Sequence, residues 1–201
     1  MPLQNRVSPW GTLHSVSARG GLMGNRGRLH NQAKEITRLY QGKSWITCSL
    51  IYKNVSREVM SPNSYTELFF LDEATAFAAG HRPCSHCQHE RAKQFKMFWG
   101  KAFGQSKTTL KEIDAILHNE RIDIANGVYQ RAKVNTLPNG TFIELDHCAY
   151  LVWGGELFKW SFLGYQSKHN IDSNSVVSLL TPCSIIEVFR AGFLTRPSLC
   201  I

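Results

Sequence analysis

The chain has 201 residues, of which 43% are hydrophobic and 19% charged, with six cysteines and a net charge of +8. A chain of this length buries roughly 70% of its unfolded surface and needs no disulfide framework. The composition excludes a disordered or collagen-like chain, and no apolar run approaches the roughly 18 residues of a membrane span. The polar start Met1-Pro2-Leu3-Gln4-Asn5-Arg6 does not read as a secretory signal, which predicts a cytoplasmic protein. The charge is lopsided: residues 1–60 carry nine basic side chains against Glu35 and Glu58, and the remaining residues are close to neutral. A basic first third on a neutral body points to a polyanionic partner, or to solubility alone.

Residues 1–32 read as loop, because Gly11, Gly20, Gly21, Gly24 and Gly27 interrupt any apolar period. Within them, residues 18–30 mix bare backbone with Arg19, Arg26 and Arg28, a composition suited to wrapping phosphates. No Gly-Lys-Ser/Thr follows, so this is not a P-loop. Aromatic and β-branched residues predict a strand over 44–52, Asn54 and Ser61-Pro62-Asn63-Ser64 predict turns, and 65–71 a second strand. Asp72 is placed to cap a helix over 73–79, and Gly80 to end it. A second helix is expected over 88–103, and a third from Thr109 through Leu117. Residues 120–136 carry no clear pattern. Beyond Pro138-Asn139-Gly140, segments 141–145, 149–153 and 156–160 predict a meander with a hairpin turn at Gly154-Gly155. A polar stretch 165–175 then separates a short strand, 176–180, from a helix over 182–191 closed by Gly192. The whole predicts an α+β fold: a small mixed sheet with helices, plus a β-rich C-terminal unit. The expected boundaries are a basic glycine-rich arm (1–43), a metal-binding module (44–104), a helical connector (105–136) and a β-meander with a C-terminal helix (137–201).

The most specific signal is Pro83-Cys84-Ser85-His86-Cys87 directly after a capped helix. Two thiolates three residues apart can bind one Zn²⁺ but supply only half of a tetrahedral site. Cys48 is the expected third ligand, since a helix after the second strand can return 84–87 to that sheet. His81, His86, His89 and His30 are candidates for the fourth, His81 being the preferred one. The competing readings of the pair are buried structural cysteines and a redox-active dithiol, although the strand–helix–strand context the dithiol requires is missing.

The segment Leu68-Phe69-Phe70-Leu71-Asp72-Glu73-Ala74-Thr75-Ala76-Phe77-Ala78-Ala79-Gly80-His81-Arg82-Pro83-Cys84-Ser85-His86-Cys87 resembles the second half of the metal-binding domain of Ada-type DNA alkylation-repair proteins. With the strand at 45–52, the resemblance covers about a quarter of the chain. It implies a zinc site in a small αβ domain that binds the DNA backbone, with Cys84 and Cys87 matching the family's second ligand pair. The family's first pair, which includes a methyl-accepting cysteine, has no counterpart in residues 53–60.

The expectation is therefore a zinc-stabilised nucleic-acid-binding protein, DNA favoured, linked to repair or regulation and without the methyl-accepting cysteine. Arg19, Arg26, Arg28, Arg38 and Lys43 would contact phosphates. The first alternative is a metal-dependent hydrolase or nuclease using Glu67 or His147; the second is a protein-interaction module. Asp72 reads as a helix cap rather than a catalytic partner of Glu67. Asp146-His147 lacks a nucleophile elbow. Trp153, Phe158, Trp160, Phe162 and Tyr165 offer either stacking surfaces for bases or core packing.

Overall fold

A computed structural model describes residues 1–53, 58–105 and 107–199; Asn54, Arg57 and Cys200 lie outside them. Among the described residues, two six-stranded sheets and four α-helices form the mixed α+β fold that the sequence predicts. No helix among the described residues is long and apolar enough to cross a membrane.

The first sheet is built from β1 (Gln4–Val7), β2 (Leu13–Ser15), β3 (Leu22–Asn25), β4 (Ile46–Cys48), β5 (Leu68–Phe70) and β6 (Arg82–Pro83), in the order β2-β1-β5-β3-β4-β6. Residues 1–32 are thus not a loop, and 1–43 is not an arm attached to the module, because half of the sheet comes from them. These strands are three or four residues long, too short to show alternation, and glycine disguises the central one. A Cβ on Gly24 would lie 2.3 Å from the Ile46 carbonyl oxygen and 2.9 Å from the Phe70 ring. Glycine at this position is a packing requirement between β4 and β5, not a mark of irregular chain.

Between β5 and β6 runs α1 (Glu73–Ala78), capped by Asp72, whose carboxylate accepts from the Thr75 amide at 2.8 Å. Gly80 ends it at φ +73°, a left-handed conformation that other residues rarely adopt. α2 (His89–Phe103) and α3 (Leu110–Ala125) follow, the latter opened by a capping box between Thr109 and Glu112. α3 runs eight residues past the predicted end at Leu117. Its later turns bury Arg121 rather than an apolar residue, so the hydrophobic period fades while the helix continues. Phe77, Phe95, Trp99, Ile113, Leu117, Phe189 and Phe193 form the core between these helices.

The second sheet is antiparallel and ordered β11-β10-β9-β8-β12-β7, from β7 (Arg131–Lys133), β8 (Phe142–Leu145), β9 (Cys148–Trp153), β10 (Glu156–Ser161), β11 (Gly164–His169) and β12 (Val176–Leu179). The meander and its Gly154-Gly155 turn sit where expected, and α4 (Cys183–Arg190) closes the chain. Two strands were hidden in polar sequence. β7 and β11 are the edges of the sheet, where solvated and charged side chains are the rule.

The two sheets meet across α1. Ala74 and Ala78 pack with Phe142, Leu151 and Trp160, and Phe158, Phe162 and Tyr165 complete that cluster. The aromatic residues of 153–165 fill this seam and are not an open stacking surface. Polar contacts fix its geometry: Trp160 Nε1 donates to Thr75 Oγ1 at 3.1 Å, and the Tyr165 hydroxyl to Asp72 at 2.7 Å. Asp72 also accepts the Ser198 amide at 2.8 Å, and Glu73 accepts the Arg196 amide at 3.0 Å. One buried carboxylate therefore caps a helix, holds a buried phenol and pins the C-terminal tail. Asp72→Ala is expected to cost about 2–4 kcal/mol in chemical denaturation, and Tyr165→Phe about 1–2 kcal/mol. Equal losses would mean that the cap and the tail contact contribute nothing.

Candidate metal centre

The cysteine cluster is made by register. β4 and β6 run parallel with Ile46 opposite Arg82 and Thr47 opposite Pro83, so the next residue on each strand is a cysteine. The Cys84 amide donates to the Thr47 carbonyl at 2.9 Å, which continues the pairing past β6. Arg82 is held by Asp114 of α3 through two bonds of 2.7 Å, and also donates to Ser44 Oγ at 3.1 Å. The turn after Pro83 then carries Cys87 back toward β4 before α2 begins.

The sulfurs of Cys48, Cys84 and Cys87 lie within 4.8 Å of one another. Three thiolates around one Zn²⁺ at about 2.3 Å would stand about 3.8 Å apart, so the group fits a metal ion with little adjustment. The Cys84 thiol is pulled down to about 4, first by a hydrogen bond from the Cys48 thiol and then by the Cys87 and His86 amides. The His86 amide lies 3.4 Å from its sulfur. Cys48 is pushed up, by its bond to Cys84 and by burial; Cys87 is pushed up, chiefly by burial. These contacts favour ionisation at Cys84 over Cys48 and Cys87.

No histidine or carboxylate joins this group among the described residues. His81 is not a ligand. It is fully buried, its Nε2 accepts from Arg26 Nε at 3.2 Å, and its Nδ1 donates to the Ala79 carbonyl at 3.1 Å. Both nitrogens are occupied in the core, because the helix end at Gly80 turns the ring between Trp45 and Phe70. His30 is likewise buried, bonded to Thr66 Oγ1 at 2.6 Å. His89 is exposed beside the Ser85 carbonyl. His86 sits near the cluster, its ring edge-on to Tyr52 at 5.1 Å.

A cleft of about 820 Å³ opens on the cluster and is lined by Cys48, Cys87, His86, Tyr52 and Lys53, together with Met23, Phe69 and Glu67. Glu67 is 3% exposed, and its Oε2 accepts the Met60 amide at 2.8 Å. His147 is remote in the topology, fully exposed on the β8–β9 turn of the other sheet. Of the basic residues expected on phosphate, Arg19, Arg28, Arg38 and Lys43 are exposed, whereas Arg26 is buried against Trp45. The sequence carries no signal for that burial, since Arg26 stands among glycine and polar residues.

Compared with known proteins, the chain matches no family model, no curated protein and no solved structure. What the site can do follows from its own geometry. Three sulfur donors can hold a soft or borderline metal ion, and binding one must displace the protons still on Cys48 and Cys87. Apparent zinc affinity is therefore expected to rise about a hundredfold per pH unit between pH 6 and 8, two protons leaving per ion. Competition against a chelator of known affinity measures it. A slope near three would show that Cys84 is not ionised in the metal-free protein.

Proposed function

We propose that this protein binds zinc through Cys48, Cys84 and Cys87 and binds nucleic acid, DNA favoured, through its exposed basic residues. The observation that supports the metal is the convergence of three sulfurs from segments 36 residues apart in sequence. Thiolate donors select zinc over magnesium or calcium, and an ion there would tie β4 to the turn that starts α2. The nucleic-acid reading is supported by the basic excess in residues 1–60 and by the exposure of Arg19, Arg28, Arg38 and Lys43. Contacts of this kind are made to phosphate and carry little sequence preference. The Ada-like segment is consistent with such a role in repair or regulation.

A second reading is favoured by one observation, that Glu67 lines the same cleft as Cys48 and Cys87. Three protein donors leave a zinc ion one position, and an ion so held supplies Lewis acidity. Glu67, anchored by the Met60 amide, would place a carboxyl group at the cleft wall, which suits a metal-dependent hydrolase or nuclease.

Elemental analysis is expected to find one zinc per chain in the wild type. Cys48→Ser, Cys84→Ser and Cys87→Ser should each lose it and melt about 10 °C lower. A metal-free wild type with the same melting temperature removes the proposal. Four phosphate contacts predict that duplex affinity falls about a hundredfold between 50 and 200 mM salt in a gel shift. A hydrolytic activity on phosphodiesters that is lost in Glu67→Gln, with zinc retained, would select the second reading.

A further inference from the structure

Away from the cysteines, two buried arginines make no ion pair among the described residues. Arg26, directly after β3, is 2% exposed, and Arg121 of α3 is 5% exposed. Their guanidinium carbons lie 4.0 and 4.5 Å from the centre of the Trp45 ring. Each makes one polar bond: Arg26 Nε to His81 Nε2, and Arg121 Nη1 to the Lys43 carbonyl at 2.9 Å. Arg26 Nη2 and Arg121 Nε and Nη2 are buried and have no hydrogen-bond partner among the described residues.

The acidic groups that act on Arg121 are engaged elsewhere. Asp114 gives both oxygens to Arg82, and Glu120 gives both to the amide and hydroxyl of Ser184. His81 is held neutral, by its burial and then by the two arginines. Burial lowers both guanidiniums to about 9, so at neutral pH each keeps its charge. An unmatched charge in such a place is strongly destabilising unless something neutralises it.

The chain itself shows what these groups take. Arg82 grips Asp114 with Nε and Nη2 at 2.7 and 2.7 Å, and Arg91 grips Glu73 with the same edge at 2.6 and 2.6 Å. That edge of Arg121 is the one with no partner. A cavity of about 290 Å³ is lined by Arg26 and Arg121 together with Trp10, Leu39, Tyr40 and Trp45. Leu39 and Tyr40 are exposed, so they mark the side from which a ligand enters.

We propose that this cavity is a binding site for a phosphomonoester carried on a flat, apolar body. Both guanidinium groups line the cavity, their three unpartnered N–H-bearing atoms match the three terminal phosphate oxygens in number, and two positive charges meet a group that is close to a dianion at neutral pH. A carboxylate would satisfy one charge and leave the other. The aromatic walls pack the body of the ligand, at a volume that suits a molecule the size of a mononucleotide. The phosphate could come from a free nucleotide or from the 5′ end of a strand. The site is independent of the metal centre.

The test titrates wild-type protein with inorganic phosphate, adenosine 5′-monophosphate, adenosine, and a short oligonucleotide with and without a 5′-phosphate, at constant ionic strength in chloride. Calorimetry should find one site, and the melting temperature should rise by about 5–10 °C at a hundredfold excess of monoester over its dissociation constant. Adenosine should produce no shift. A response to the nucleotide that exceeds the response to the phosphorylated strand assigns the free ligand, and the reverse assigns the strand end. Arg121→Met should abolish the response while melting no lower than wild type in its absence, since it removes a charge that nothing pairs. Leu39→Glu, at an exposed position that leaves the core intact, should weaken binding at least tenfold. No saturable response to any monoester, or a response unchanged in Leu39→Glu and Arg121→Met, overturns the proposal.

Discussion

The parallel pairing of Ile46–Cys48 with Arg82–Pro83 brings together two segments that have little else in common. Cys48 ends the first strand and Cys84 directly follows the second, and the register puts the two side by side. Arg82 secures the pairing by reaching across to Asp114 of the third helix, so sheet, turn and helix share one buried ion pair. Such a pair adds little net stability, because both charges had to leave water. Its effect is positional. Removing either partner would strand the other charge, so the alternatives to this register are costly and Cys48 stays opposite Cys84.

The same short strand joins two different chemistries. Trp45 stands at its entry and lies against Arg26, Arg121 and His81; Cys48 stands at its exit beside Cys84 and Cys87. One end is crowded with positive charge, the other with groups that ionise to negative charge. Of the three arginines clustered on the Trp45 side, Arg82 is paired with Asp114, and the other two make no ion pair among the described residues. Proteins seldom leave charges in that state without a partner of some kind. Gly80 allows the arrangement, since a Cβ there would lie 2.6 Å from Arg121 Cγ and Nε.

Nor are the two sheets independent units joined by a connector. The short first helix is buried on all sides, with Asp72 and Glu73 serving contacts from the second sheet, from α2 and from the C-terminal tail. The cleft at the cysteines and the cavity at Trp45 are thus placed by a scaffold that draws on the whole length of the chain.

Much of this was legible in the residues. Local chemistry dictates where α1 begins and ends, because an aspartate cap and a left-handed glycine act within a few positions. It also dictates the turn that pairs Cys84 with Cys87, the capping box at Thr109 and the Gly154-Gly155 hairpin. Even Cys48 followed from the path of the chain. What the residues could not show is anything settled by a distant neighbour. β1 and β3 are strands because β5 and β4 offer them edges, and β2 because β1 does, not because their own three or four residues favour it. His81 and Arg26 look like ligand and phosphate contact in sequence, yet the two are bonded to each other inside the core, and Glu67 reaches the cysteine cleft only through sheet order. Capping, turns and periodicity are local interactions that a linear pattern records; burial, charge pairing and strand register depend on which segments meet, and that was decided only when the chain folded.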